Sequence, residues 1–111
     1  MRRLPARMMP HKRLISYRPL LGNGTYGPQY GDEVVCERGA ISDRRKYVRD
    51  RMGAERISES RIALDLPDHD VPDGSEVTIW RGTPRERTTT AIVTSVADWP
   101  RLPHFIEVSL A

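Results

Sequence analysis

Apolar residues in this chain recur at every second position over several short runs, and that period, more than any other feature, limits what the chain can fold into. In "SESRIALDL", Ile62, Leu64 and Leu66 fall on one parity while Glu59, Arg61 and Asp65 fall on the other, the pattern of a strand with one dry and one wet face. "SEVTIW" repeats the device through Val77 and Ile79, and "HFIEVSL" through Ile106, Val108 and Leu110, opposite Phe105, Glu107 and Ser109. "TTTAIVTSV" is rich in β-branched residues, "EVVCER" is short and apolar, and "RLISYR" supplies a first strand. Turn chemistry separates these runs. "PDG" at 72–74 precedes a strand, "RGTPRER" at 81–87 joins the strands around Val77 and Ile92 as an exposed hairpin, and "DWPRLP", with two prolines, is a loop. No stretch carries an amphipathic helix of useful length. The expected fold is all-β, a small antiparallel β-barrel or sandwich of six to seven strands.

The length of 111 residues accommodates one domain with one modest core. Hydrophobic residues are 38% and charged residues 30% of the chain, so many side chains must meet water or a partner, and an oligomer is expected. No run is apolar enough to cross a bilayer, and "MRRLPARMMPHKR" has no apolar stretch after its basic residues. A soluble, cytoplasmic protein without a membrane partner is expected. Cys36 is the only cysteine and reads as a small buried hydrophobe.

Charge is unevenly placed. Residues 1–13 hold five Lys/Arg and no acid, and residues 44–56 hold six Lys/Arg against Asp50 and Glu55. With a net charge of only +3 over the whole chain, the remainder must be acidic. The domain reading is an N-terminal basic extension over 1–12 and a single β-barrel domain over 13–111, with two basic segments available to an anionic surface.

"GNGTYGPQYG" at 22–31 gathers four of the eight glycines and two of the four tyrosines. Between two strands it reads as a structured loop over a barrel end, with Gly27 free to take positive φ and Pro28 fixing its own. Tyr26 and Tyr30 either cap the core or contact a partner.

Chemistry-bearing constellations are weak. His11, His69 and His104 lie in separate segments without metal-ligand spacing, and "DHD" at 68–70 reads as a solvated turn. Cys36 in an apolar strand is a poor nucleophile, and neither a phosphate loop nor a nucleophile elbow is present. The expectation is no catalytic residue, no metal and no cofactor.

The segment "SDRRKYVRDRMGAERISESRIALDL" at 42–66 carries the strongest functional signal. One β-capable arm rises to a turn at "RMGA", where Gly53 suits left-handed geometry, and a second arm descends into the strand ending at Leu66. The outer half holds cations and few large apolar groups, so it should project as a long hairpin over about 42–58. A projecting basic hairpin is either a solvated loop or an arm meeting phosphates or acidic subunits.

In order, a leading strand, "YGPQYG", a strand with "VVC", "RRKYVRD..G.E..S...I.L" and "VPDGSEVT" resemble the head-to-tail stopper (head-completion, head–tail joining) proteins of long-tailed actinobacterial phages. The resemblance covers about residues 13–110. It implies a virion protein of a siphophage neck, assembled in the host cytoplasm. Such a protein is a homo-oligomeric ring between the portal and its adaptor above and the tail terminator or tail-tube proteins below. Packaged double-stranded DNA lies in its channel. Arg44, Arg45, Lys46, Arg49, Arg51, Gly53, Glu55, Arg56 and Ser58 fall on the matching hairpin and would face the channel or a partner, and Tyr26, Gly27, Pro28 and Tyr30 fall on the matching loop. The N-terminal "MRRLPARMMPHK" departs from the family's short start, and the tip "RDRMGAER" is more basic than a neutral plug requires. Two other readings follow from residue types alone. One is a small β-barrel that binds nucleic acid, stacking bases on Tyr26, Tyr30 or Tyr47. The other is a small ribonuclease toxin, for which no acid–base pair is marked out.

Overall fold

The computed structural model describes residues 8–65, 68–97 and 105–111. The strands are β1 (Ile15–Arg18), β2 (Leu20–Gly24), β3 (Gly27–Tyr30), β4 (Val34–Cys36), β5 (Ala40–Ser42), β6 (Lys46–Arg49), β7 (Glu55–Ser58), β8 (Ser60–Asp65), β9 (Glu76–Ile79), β10 (Arg87–Ala97) and β11 (Phe105–Leu110). No helix of the described residues is long and apolar enough to cross a membrane. Seven strands form one antiparallel sheet in the order β4-β1-β9-β10-β11-β8-β5, and β2–β3 and β6–β7 are separate two-stranded ribbons. The all-β expectation is met. The segment "DWPRLP" and Leu66 lie outside the described residues.

Two sequence features roll the sheet. Three residues separate β4, on one edge, from β5, on the other, so the chain holds those edges within about 14 Å of each other. Gly39 in that link is buried, and a Cβ there would lie 2.6 Å from Ile15 Cδ1 of β1 and 3.1 Å from Leu64 Cδ2 of β8. The second feature is β10, whose first residues pair with β9 and whose later ones pair with β11, with an irregular register between Ala91 and Val93. Such a bulge bends a strand around a corner. The turn that opens β9 docks there, since Gly74 N–H donates to Ala91 O and Ala91 N–H to Ser75 O, both at 2.8 Å. Gly74 has φ 88°, in the left-handed region that makes glycine the natural residue of "PDG".

The interior is formed by the expected parity. Ile15, Cys36, Leu64, Val71, Val77, Ile79, Val108 and Leu110 are fully buried, with Ile62 and Ile106 nearly so. Two residues expected on wet faces are not there: Asp65 is 2% exposed and Ser109 7%. Asp65 is buried because Arg38, in the β4–β5 link, covers it with two hydrogen bonds, Nε to Oδ2 at 2.7 Å and Nη2 to Oδ1 at 3.0 Å. Parity alone could not foresee a guanidinium brought from 27 residues away.

The seam between β4 and β5 is covered by residues 8–13, part of the basic N-terminal run. His11 N–H donates to Gly39 O and Arg13 N–H to Glu37 O, while His11 Nδ1 accepts from Ile41 N–H at 2.9 Å. Met9 is 1% exposed and serves as an apolar plug. Gly39 O and Glu37 O of the link and Ile41 N–H of β5 are thereby satisfied.

Candidate functional site

The β6–β7 ribbon is a finger, and its construction can be followed from base to tip. Ser42 pairs with Arg61, and the next matched pair is Lys46 with Ser58, so three residues of one leg face two of the other. The extra residue is a bulge that turns the finger away from the β5–β8 ladder. Ser58 Oγ, fully buried, donates toward Ser60 O and Leu110 O, each 2.9 Å away, and anchors one leg.

The other leg is anchored by Asp43. Its Oδ1 accepts from Ser60 Oγ, and its Oδ2 accepts from Trp80 Nε1 at 2.9 Å and Arg85 Nη2 at 2.8 Å. Arg85 also lies 4.4 Å over the Trp80 ring, and His11 meets that ring edge-on at 4.8 Å. Trp80 itself takes φ 56°, a backbone state that a bulky residue rarely adopts. It is held there by Thr83, whose N–H and Oγ1 both donate to Trp80 O. Sequence reading missed Asp43, Trp80 and Arg85, because the clamp joins residues 37 and 42 positions apart and no local pattern signals such a contact.

The tip closes as expected at Gly53, which has φ 84°. Asp50 N–H donates to Ala54 O, and Asp50 Oδ1 accepts from Met52 N–H and Ala54 N–H. This is a three-residue hairpin loop with glycine in the left-handed position. Arg49 Nη1 adds a bond to Gly53 O.

Among the cations singled out from sequence, Arg45 pairs with Glu59 at 3.2 Å and Arg51 reaches Asp73 at 3.0 Å, with the two arginine side chains 70% and 79% exposed. The Arg45–Glu59 pair, with Glu59 44% exposed as well, contributes little to stability, whereas Asp73, in the turn before β9, is only 18% exposed and ties Arg51 of the tip to the barrel. Arg44, Lys46 and Arg56 are exposed, and their side chains make no ion pair or hydrogen bond with a described residue. Glu55 is exposed opposite Arg49. Tyr47, Met52 and Ile57 are exposed by 67%, 91% and 46%. The finger's strands pair with each other and with no other described strand.

The glycine-rich stretch is not a loop but the β2–β3 ribbon, with Leu20 opposite Tyr30 and Gly24 opposite Gly27. Gly27 has φ 112°, which lets the chain reverse within two residues. Tyr26 does not cap the core, because the tight reversal leaves its ring wholly in solvent. Tyr30 is half-buried, with Arg18 5.4 Å over its ring, and Pro28 is exposed. The ribbon is tied to the barrel by Leu20 N–H, which donates to Ser75 Oγ.

Elsewhere, Tyr17 OH lies 3.2 Å from His69 Nδ1, and Asp68 and Asp70 beside it are exposed. Burial, above all, raises the Tyr17 hydroxyl's pKa. Cys36 is buried, and desolvation pushes its thiol up to about 12, which keeps it protonated and inert. Among the described residues no three His, Cys, Asp or Glu side chains are grouped as metal ligands. The chain matches no protein-family model, no curated protein and no solved structure.

Proposed function

We propose that this chain is a structural, non-enzymatic virion protein, the head-to-tail stopper of a siphophage neck. In that role it forms a ring between portal or adaptor and tail, retains packaged DNA and docks the tail. The observation that carries this reading is the finger. It is clamped at its base by Asp43 and Ser58, yet keeps Tyr47, Met52 and three cations away from its own core. An element positioned so firmly and satisfied so little at home is built to meet something else. The ordered motif series over residues 13–110 supports the same reading. A heterologous contact repeated around a closed ring would compensate a small subunit for its thin core.

The second reading, a nucleic-acid-binding barrel, is favoured by one observation, the wholly exposed Tyr26 ring at a ribbon tip. Deletion of residues 49–56 and oligonucleotide binding by the isolated chain together separate the two. Under the stopper reading the barrel stays folded, while complemented phage yield heads that leak DNA or fail to join tails under the electron microscope. Normal numbers of joined particles would defeat it. Under the second reading the isolated chain binds oligonucleotides with an affinity that falls steeply as salt rises.

A further inference from the structure

Residues 19–31 are the longest stretch of this chain without a charged side chain, although charged residues make up 30% of the whole. The next longest, 88–97, lies within β10, between β9 and β11 of the barrel sheet. The first belongs instead to the β2–β3 ribbon, whose strands pair with each other and with no other described strand. Leu21 is 70% exposed and Tyr26 wholly so, with Asn23, Thr25, Pro28 and Gln29 exposed around them. Charged side chains are what a chain ordinarily places on such an element. The ribbon's root is fixed. Leu20 N–H donates to Ser75 Oγ at 3.0 Å, Gly31 N–H donates to Pro19 O at 2.8 Å, and the Leu20 side chain fills the space beside Gly74, where a Cβ would lie 2.9 Å from its Cδ2. Charges return only at the rim. Arg18, just before the ribbon, lies over the Tyr30 ring and pairs with Glu76 at 3.7 Å, and the exposed Asp32 and Glu33 follow it. A charge-free centre with a tyrosine, inside a charged rim, is the anatomy of a protein–protein contact.

We infer that the β2–β3 ribbon enters an uncharged, apolar groove on a different protein, with Tyr26 and Leu21 as its anchors. Charge selects against nucleic acid as the occupant. A strand whose bases stack on Tyr26 needs cations beside the ring for its phosphates, and residues 19–31 supply none while Asp32 and Glu33 repel them. Shape selects against a second copy. A flat ribbon laid on its twin covers one face only, whereas a groove takes both faces and the tip, and so brings an element this small closer to the about 800 Å² that each partner of a stable interface buries. The fixed root leaves little ordering for the groove to impose when the ribbon enters. This contact involves no part of the finger, and it rests on the stopper reading only in taking the partner to be another protein of the particle.

Two double variants of the full chain test it. Leu21→Ser with Tyr26→Ala removes the anchors, and Asn23→Lys with Thr25→Lys keeps both anchors but sets two cations beside the ring. All four side chains are exposed, so the barrel should melt as in wild type, and the lysine variant, which removes no contact, stands in if the anchor variant loses its ribbon. In complemented phage each should lower the number of joined particles by about tenfold or more. Any affinity of the isolated chain for a single-stranded oligonucleotide should be the same with and without the anchors. Three results overturn the contact. Full numbers of joined particles from either variant remove it outright. Oligonucleotide affinity that falls with the anchors and rises with the lysines gives the ribbon to nucleic acid. Self-association of the wild type in sedimentation velocity that the anchor variant loses gives it to a second copy. Harmful ribbon variants beside a harmless deletion of residues 49–56 would discard the stopper reading and keep this contact, and the reverse would discard this contact and keep that reading.

Discussion

In the barrel, Arg38 and Asp65 meet at 2.7 Å with the side chains 22% and 3% exposed, whereas in the finger Arg45 and Glu59 meet at 3.2 Å with theirs 70% and 44% exposed. The chemistry of the two pairs is the same and the surroundings are opposite. A carboxylate removed from water depends on its partner, and one left in water does not. The comparison assigns the barrel's charges to folding and leaves the finger's charges, on the function proposed above, for encounter. It predicts that substitutions in the barrel show up in stability, and that those in the finger show up in association with the barrel's melting left nearly alone.

The largest effect expected is therefore at Arg38. Arg38→Ala strands Asp65 in a site where it is 2% exposed, and it should destabilise the chain by about 3–5 kcal/mol. Glu59→Ala, which breaks the finger's pair, should stay within about 1 kcal/mol of wild type. Denaturant titration of both variants measures the contrast directly. Equal losses at the two positions would erase the distinction between the regions.

Two glycines sharpen the same contrast at a smaller scale. At Gly39 a Cβ would come within 2.6 Å of Ile15, 3.1 Å of Leu64 and 3.2 Å of the Ala63 carbonyl, so Gly39→Val overpacks the closure of the barrel. A loss of about 1–3 kcal/mol is expected, read as a lowered melting temperature. At Gly53 nothing lies within 4 Å, and the constraint is only the φ of 84°. Gly53→Ala should strain the tip by about 1–2 kcal/mol, visible as faster amide exchange within the finger while the barrel melts as before.

Asp43 joins the two regions. Asp43→Ala removes acceptors from Ser60, Trp80 and Arg85, in a side chain 35% exposed, and should lower barrel stability by about 1 kcal/mol. Its larger consequence is local. With its clamp gone the finger should be cut by trypsin at Arg49 or Arg51 several times faster than in wild type. Unchanged cleavage would mean that Ser58 alone fixes the finger.

The period-two runs made the fold class legible, because alternation reports which face of a strand is dry, and Ile62, Leu64, Val77, Ile79, Ile106, Val108 and Leu110 all point inward as read. The finger and its Gly53 turn were legible for a similar reason, since both follow from neighbouring residues. What sequence reading missed depends on contacts between distant segments. The burial of Asp65 needs Arg38, the Asp43 clamp needs Trp80, and the seat of Met9 and His11 needs a seam that exists only after the sheet has rolled. Charge density was misleading on that last point. The N-terminal run and the finger are both basic, but His11 and Arg13 of the first donate their backbone N–H groups to the barrel seam, whereas the finger's strands pair with no other described strand.

That seam carries the smallest effect expected, and it depends on pH. His11 Nδ1 accepts the Ile41 N–H, so the ring must be neutral at that nitrogen. Burial lowers the His11 pKa below its ordinary 6.5, and the nearby Asp43 charge opposes that shift without reversing it. The unfolded chain therefore takes up the proton more readily than the folded one. The stability His11 contributes is complete above about pH 6.5 and is lost as pH falls toward the folded value. Lowering the pH from above to below that point should reduce the melting temperature modestly, ahead of the general loss from carboxylate protonation. The same drop should loosen residues 8–13 in amide exchange while the finger tip is unchanged. In His11→Gln, whose amide has no proton to gain, the early part of the decline should vanish. In Asp43→Ala, where the opposing charge is gone, it should begin at the same pH but extend to lower pH and be larger. A decline of equal size and position in all three proteins would place the titrating group somewhere other than this seam.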